Sequence, residues 1–313
     1  MATMKAVCIE SFGGPETLKV EQMDRPKPKD DEVLVQVRAA SVNPVDYKIR
    51  SGKYPPVKQE NLPKVLGRDI SGVVVGRGAA VATFLDGDEV MAMLDRGQGG
   101  YAEYVTLAAD LCVRKPQGLN HAEAAAVPLA AITAWQGLFD HGGLTAGQRV
   151  LIHGGAGGVG HFAIQFAKSA GAYVITTCSA DDKEFVLSLG ADEAIDYRGE
   201  RFEDRLSEVD MVFDLIGGDT QERSWSVLKD GGTLVSTLAK PSERQAQIHH
   251  ARAMNYMAHP DAAELGEIVH LIAEKKVHPH VEMRLPLEDV AEAHRKVEHG
   301  HPRGKVVLEV RAA

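Results

Sequence analysis

Residues Arg149–Gly171 read RVLIHGGAGGVGHFAIQFAKSAG. The stretch opens on a short apolar run, Val150-Leu151-Ile152, and closes on a helical pattern carrying Phe162, Ile164, Phe166 and Ala167. Between them Gly155, Gly157 and Gly160 spell G-x-G-x-x-G, with Ala156, Gly158 and Val159 filling the turn. After a strand and before a helix, that spacing has a physical reading. The first glycine permits the tight turn, the second lets backbone approach a pyrophosphate, and the third lets helix and strand pack closely. The helix N-terminus then offers N–H groups and a positive dipole end to phosphate.

Downstream, a βαβ rhythm continues. Strands are expected at 149–153, 173–177, 193–196, 211–216 and 233–237, with helices at 159–170, 181–189, 202–208 and 220–229, and a sixth, edge strand at 252–257. Alternation of this kind requires a doubly wound parallel sheet. Upstream the pattern is different. Met4–Ile9, Leu18–Glu21 and the alternating EVLVQVRA at 32–39 read as strands, as do segments beginning at Gly67, Glu89 and Tyr101. Asn43-Pro44 fits the start of a short helix, with Asn43 as N-cap. From 122 to 134 an Ala-rich helix is expected, broken or kinked at Pro128. After Pro260 come a helix at 262–274, a strand at 277–284, a helix at 287–299 and a strand at 305–310, expected to rejoin the β-rich part. The expected organisation is α/β: a β-rich domain at 1–121 and 260–313, and a nucleotide domain at 122–259.

The 313 residues carry a net charge of −9 and no basic block, which argues against nucleic acid and anionic membrane surfaces as partners. No run of 18 apolar residues is present, and MATMKAVCIE has no apolar signal core, so a cytoplasmic protein is expected. The three cysteines are far apart, without C-x-x-C, as in a reducing compartment.

About 20 residues beyond the glycines, NAD-binding proteins place an acid on the ribose 2′-hydroxyl. Here the position falls among Thr176, Thr177, Cys178 and Ser179, none of them acidic. A carboxylate would repel a 2′-phosphate, whereas Ser179 and Lys183 would accept one, so NADPH is the expected cofactor.

Asn43-Pro44-Val45-Asp46, Leu66-Gly67-Arg68-Asp69, Gly87-Asp88-Glu89-Val90, Ala102-Glu103-Tyr104, Thr133-Ala134, Ala156–Gly160 and Gly304-Lys305 occur in an order that resembles the zinc-independent, quinone oxidoreductase-like branch of the medium-chain dehydrogenase/reductase superfamily. The resemblance covers nearly the whole chain. It implies a GroES-like substrate domain, a Rossmann domain, a cleft at their interface, and an NADPH-dependent reduction of quinones or enones. Where zinc alcohol dehydrogenases of that superfamily have Cys and His ligands, this sequence has Asn43 and Arg68, neither a normal zinc ligand. The lobe that would hold a structural zinc is reduced to Leu94–Gly100 without cysteine. His278, His280, His299 and His301 lack helical spacing and carboxylate partners, so no metal site is expected.

Without a Lewis acid, conjugate reduction is the easier chemistry, the developing charge being met by hydrogen bonds and a proton. The resemblance places Asn43 and Tyr47 at the reacting atoms, Asn43 as a donor to ribose or substrate oxygen and Tyr47 as oxyanion donor or proton source. Asp46 would orient its neighbours, and Tyr54 is an alternative donor. Thr133 would lie under the nicotinamide carboxamide. Tyr197 would join Lys183 at the 2′-phosphate. Ile216-Gly217 and Thr237-Leu238, after the fourth and fifth strands, lie where ligands meet such sheets. Arg303 and Lys305 would approach the cofactor from the tail. Two other functions fit the sequence: a metal-recruiting NADP-linked alcohol or aldehyde dehydrogenase, and a non-catalytic NADPH-binding sensor or structural protein. A homodimer through the 252–257 edge is expected, because unpaired sheet edges need covering.

Overall fold

The computed structural model describes residues 2–310. The chain begins with β1 (Thr3–Ile9), β2 (Lys19–Asp24), β3 (Glu32–Val42), helix α1 (Pro44–Arg50), β4 (Lys64–Val65), β5 (Asp69–Arg77), β6 (Glu89–Met93), β7 (Tyr104–Ala108) and β8 (Val113–Arg114). Helices α2 (His121–Ala125) and α3 (Pro128–Trp135) follow. Next come β9 (Arg149–His153), α4 (Gly160–Ser169), β10 (Tyr173–Cys178), α5 (Lys183–Ser188), β11 (Glu193–Asp196), β12 (Val209–Asp214), α6 (Gly218–Ser224), β13 (Leu228–Ser236), α7 (Glu243–Ile248) and β14 (Arg252–Asn255). The chain closes with α8 (Ala262–Ala273), β15 (Val281–Pro286), α9 (Val290–His299) and β16 (Lys305–Glu309).

Two compact units result. One holds the described residues up to Leu129, Pro260–Ala273 and those from Pro279 onward; the other holds Ala130–His259 and Glu274–His278. The first boundary lies eight residues beyond the composition change at 121, because α2 and its C-cap pack Ala122, Ala125 and Ala126 against Ala39 of β3 and Val307 of β16.

In the first unit β3 is the organising strand. It pairs antiparallel with β5, β7 and β16, within a seven-stranded sheet ordered β15-β16-β3-β5-β6-β8. Its period-2 pattern buries Val33, Val35 and Val37 against Ile70, Val74, Val90 and Leu107. Each such side chain contributes about 1.5–3 kcal/mol on burial. A three-stranded sheet, β2-β1-β4, adds Val7 and Ile9 to a second core with Val42, Leu66, Tyr101, Val306 and Leu308. Strand β5 starts at Asp69 rather than Gly67. Gly67 has φ +92°, and a Cβ there would sit 2.4 Å from the Tyr101 ring.

In the second unit all six strands are parallel, ordered β11-β10-β9-β12-β13-β14, which is the Rossmann order. Leu151, Ile175, Ile195, Val212, Leu234 and Trp225 form its core. Several elements differ from the sequence expectation. The Ala-rich helix is two helices, with Pro128 opening the second, followed by a π-helical segment Gln136–His141. The helix expected at 220–229 stops at Ser224, and β13 starts at Leu228 because Leu228 pairs with Val209 before a register shift around Lys229–Gly232. The expected 202–208 helix is a single turn, Phe202–Asp204. The strand expected from Val277 begins at Val281, after Pro279; Val277 and His278 belong to the other unit, where His278 N donates to Gln165 Oε1 (2.8 Å). Among the described residues no helix is long and apolar enough to cross a membrane.

Candidate active site and cofactor loops

In the Rossmann unit, the glycines of the β9–α4 loop divide by what surrounds them. A Cβ on Gly155 would lie 2.0 Å from Thr176 Oγ1, and one on Gly160 would lie 2.2 Å from the Gly154 carbonyl. Both are required by the protein's own packing. A Cβ on Gly157 would meet only Gly154 O, at an ordinary 3.5 Å, and its φ is not left-handed. Nothing within the loop explains the glycine at 157, and the space beside it is what a close-approaching pyrophosphate needs. Ala156, Gly158 and Val159 form the rest of this turn before α4.

At the ends of β10 and β11, Thr176 and Thr177 are buried and engaged: Thr176 Oγ1 donates to Ile152 O (2.7 Å), and Thr177 Oγ1 lies 3.0 Å from His153 Nδ1. Ser179 Oγ donates to Asp182 Oδ2 (2.6 Å). Lys183 Nζ donates to Glu200 Oε1 (2.7 Å), a carboxylate that also receives Arg205. Tyr197 is 54% exposed. No acid occupies 176–179, but Glu200 reaches the same corner from beyond β11.

At the end of β12 a buried carboxylate governs two loops. Asp214 Oδ1 accepts the N–H groups of Ile216 (3.0 Å) and Gly217 (2.8 Å); its Oδ2 accepts Gln221 Nε2 (2.9 Å) and Ser236 Oγ (2.9 Å). Ser236 Oγ in turn accepts Leu238 N (3.1 Å), Gln221 donates to Ala239 O, and Thr237 N reaches Asp214 O (3.2 Å). Ile216 and Leu238 are thereby held with their apolar side chains in solvent. Beside this hub His153 is buried between Thr177 and Ser224; burial drives its pKa down, so it is neutral at physiological pH. Thr133 is buried on α3, its carbonyl accepting the Tyr256 hydroxyl.

In the GroES-like unit, β3, β5, β16 and α1 bring a polar network into the interior. Asn43 heads α1, but its side chain does not cap the helix; the Asp46 carboxylate accepts the Asn43 N–H instead (2.8 Å). Asn43 Nδ2 donates to Asp69 Oδ2 (2.8 Å), and Asn43 Oδ1 accepts from Lys305 Nζ. Ser41 Oγ (2.5 Å) and Leu129 N (2.7 Å) complete Asp69. Tyr101 Oη donates to Asp46 Oδ2 (2.9 Å), leaving Asp46 Oδ1 buried without a partner. Burial raises the Asp46 pKa to about 6, and burial lowers that of Lys305 despite the attraction of Asp69 and Asp46. Lys305, expected at the cofactor, is directed to Asn43 by the pairing of Val306 with Val42. Arg68 is buried and donates to Leu94 O (2.8 Å).

Tyr47 is half-buried on α1; burial and the nearby Glu298 carboxylate raise its pKa. Tyr54 is buried in the apolar core, and Arg303 is half-buried before β16. Asp69, Tyr101, Asp214 and Glu200 were given no role in the site by the sequence reading. The signal for the first and third was a buried acid at one end of a largely apolar strand, DISGVVV and VDMVFD.

Comparison with known proteins adds independent findings. A family model for the alcohol dehydrogenase GroES-like domain matches residues 29–117, and one for zinc-binding dehydrogenases matches 189–308. The mitochondrial NAD(P)H oxidoreductase RTN4IP1 of Mus musculus is 37% identical, over 98% of this chain and 89% of its own. The chloroplastic NADPH-dependent alkenal/one oxidoreductase of Arabidopsis thaliana is 36% identical, over 97% and 79%. The solved structure of the quinone oxidoreductase from Coxiella burnetii matches with TM-score 0.93 at 37% identity, over 99% of this chain and 100% of that one.

Proposed function

Because the chain belongs to the quinone oxidoreductase-like branch of the medium-chain dehydrogenase/reductase superfamily, we propose that it is an NADPH-dependent reductase that delivers hydride to a quinone or an α,β-unsaturated carbonyl without zinc. The observation that carries the cofactor assignment is the open space at Gly157, flanked by two glycines that the fold itself requires. The substrate class follows the quinone and alkenal/one reductases among its relatives.

NADPH, when bound, supplies the hydride. In this reading the Gly155–Gly160 backbone receives the pyrophosphate, and Thr133, Ile216, Gly217, Thr237 and Leu238 receive the nicotinamide half. Asp214 holds the last four at fixed distance from one another. Ser179, Lys183 and Tyr197 surround the 2′-phosphate. Asn43 takes a different part from that first expected. It is 1% exposed and its amide is engaged at both ends, so it braces α1 rather than touching substrate. Tyr47, on the same helix, is the group offered to the substrate oxygen. A phenol whose pKa is raised keeps its proton, so it serves as a hydrogen-bond donor to developing negative charge, and water supplies the proton.

The donor set speaks against zinc. An amide held by an ammonium, and a guanidinium turned to a carbonyl, offer no thiolate or imidazole, and Lys305 repels a second cation. The test is steady-state NADPH oxidation across quinones, enones and aldehydes, repeated with NADH, on protein assayed for metal. Turnover of quinones or enones with NADPH preferred and no stoichiometric zinc is expected. Stoichiometric zinc, or no turnover on any acceptor, overturns the proposal.

The proposed assembly is a homodimer through β14. Among the described residues the strand is an edge, paired on one side only, and exposed Ile248 and Met257 flank it. Light scattering at the 33.7 kDa monomer mass would refute this.

A further inference from the structure

The π-helical segment Gln136–His141 has a visible cause in a side chain that follows β14. The Tyr256 hydroxyl enters the helix between the carbonyl of Thr133 and the N–H of Gly137, donating to the first and accepting from the second. In an uninterrupted α-helix those two backbone groups bond each other, since they stand four residues apart. A side chain inserted into that ladder opens the helix, and the wider turn begins within the same interval, at Gln136. The sequence leaves room for the phenol at Gly137. A Cβ there would lie 2.6 Å from the Tyr256 hydroxyl and 2.5 Å from the Phe213 ring.

Tyr256 is itself held on both flanks. Its N–H donates to the Ser236 carbonyl (3.2 Å), and the Ser236 hydroxyl donates to Asp214. Its ring centroid lies 4.5 Å from that of His141, whose carbonyl accepts Arg252 Nη2 (3.0 Å). Three residues further on, His259 and the buried Gln136 exchange two hydrogen bonds, Gln136 Nε2 to His259 O (3.1 Å) and His259 N to Gln136 Oε1 (3.2 Å). Burial, then the Asp140 carboxylate, raises the Tyr256 pKa, so the phenol keeps the proton that it gives to Thr133. One residue thus joins Thr133 to the loops that Asp214 organises.

Resting on the NADPH reading above, which puts Thr133 at the nicotinamide carboxamide, we infer that Tyr256 is a positioning residue for the hydride-donating ring, its hydroxyl fixing Thr133 relative to Ile216-Gly217 and Thr237-Leu238. The one proton of that hydroxyl is committed to Thr133, so Tyr256 acts through that residue and not on the substrate. Without the hydroxyl, the Thr133 carbonyl and the Gly137 N–H can bond each other. The helix then tightens toward α, and Thr133 leaves its place under the carboxamide.

The experiment is calorimetry on the full chain with two probes: NADPH, which carries the nicotinamide, and adenosine 2′,5′-bisphosphate, which does not. Tyr256→Phe keeps the ring beside His141 and removes only the hydroxyl. It should weaken NADPH about 10-fold, the size of one well-placed hydrogen bond, and leave the bisphosphate within about 2-fold of wild type. Thr133→Ala should weaken NADPH by a similar factor. The double variant should then lose about 10-fold rather than about 100-fold, because both changes remove the same contact. Unchanged NADPH affinity in Tyr256→Phe, or losses that multiply in the double variant, overturns the inference and leaves NADPH as cofactor. Equal loss of both probes in Tyr256→Phe makes the residue a general support of the fold and also overturns the inference. Wild-type protein that binds neither probe overturns the NADPH reading and this inference with it.

Discussion

Lys305 and Asp69 lie 3.8 Å apart in the interior of the GroES-like unit, and the side-chain amide of Asn43 bridges them, its oxygen on the ammonium and its nitrogen on the carboxylate. Lys305 is 3% exposed and Asp69 0%. Two opposite charges taken out of water are tolerated only when each is paired and hydrogen-bonded, and here an amide oriented by both completes the pairing. β3, β5 and β16 supply one member each or lead directly to one, so the network ties three strands together.

Replacing Lys305 by Met should therefore destabilise strongly. Asp69 keeps its donors from Ser41, Asn43 and Leu129 but loses its countercharge. Removing one member of a buried pair costs about 3–5 kcal/mol. Urea denaturation would read this as a lowered midpoint with unchanged slope. Lys305→Met as stable as wild type would mean that the ion pair holds nothing together.

A second expectation concerns acid. The Asp46 pKa is raised to about 6, by burial above all. Between about pH 4 and 6 the native protein keeps a proton that the unfolded chain releases, so this group's contribution to stability falls as pH rises through the window, by up to about 3 kcal/mol. His294 acts in the opposite sense. Burial, then the positive charge of Arg50, lowers its pKa to about 3. The unfolded chain takes up that proton below about pH 6.5, so stability is lost as pH falls from there. The two slopes partly cancel between about pH 4 and 6. Asp46→Asn keeps an oxygen to accept from Tyr101 and Asn43 but removes one slope. The variant should lose stability on acidification more steeply than wild type over that window. Parallel curves would show that Asp46 is ionised in the fold at all these pH values.

Asp214 makes a third case. It accepts four donors, two from the loop after β12, one from α6 and one from the end of β13. Asp214→Asn converts one acceptor oxygen into a donor facing donors, so Ile216-Gly217 or Thr237-Leu238 must move. A misplacement of about 1 Å at such a site costs up to about 100-fold in rate. The expected result is a KM for NADPH raised about 10-fold or more, with a smaller effect on a purely structural readout such as Tm. A lowered Tm with KM unchanged would reduce Asp214 to a support of the sheet.

Much of this was legible in the sequence because it is local. The alternation of EVLVQVRA, the strand–glycine–helix run at 149–171 and the absence of acid at 176–179 each lie within one element or its neighbour. The polar network was not legible, since Lys305 meets Asn43 only through the register of β16 on β3, across 262 positions. Glu200 is nearer in sequence, 17 positions from Lys183, but its approach depends on the turn after β11. The overlong helix at 220–229 shows the same limit: Trp225 and Val227 continue an apolar pattern that tertiary pairing ends at Ser224.

The glycines of the β9–α4 loop separate folding from binding. Gly160→Ala would place a methyl 2.2 Å from the Gly154 carbonyl and 2.7 Å from the Gly155 Cα, backbone atoms that cannot swing aside. Overpacking of this kind costs about 1–3 kcal/mol or more, so the variant should melt several degrees lower even without ligand. Gly157→Ala meets no atom closer than 3.5 Å and should melt with wild type. Its methyl instead fills the space proposed for the pyrophosphate, so its affinity for NADPH should fall about 10-fold or more, with adenosine 2′,5′-bisphosphate less affected because that probe has no second 5′-phosphate. Thermal melts without ligand, followed by calorimetry with both ligands, separate the two effects. A Gly157→Ala protein that melts normally and binds NADPH as wild type does would remove the pyrophosphate from this loop.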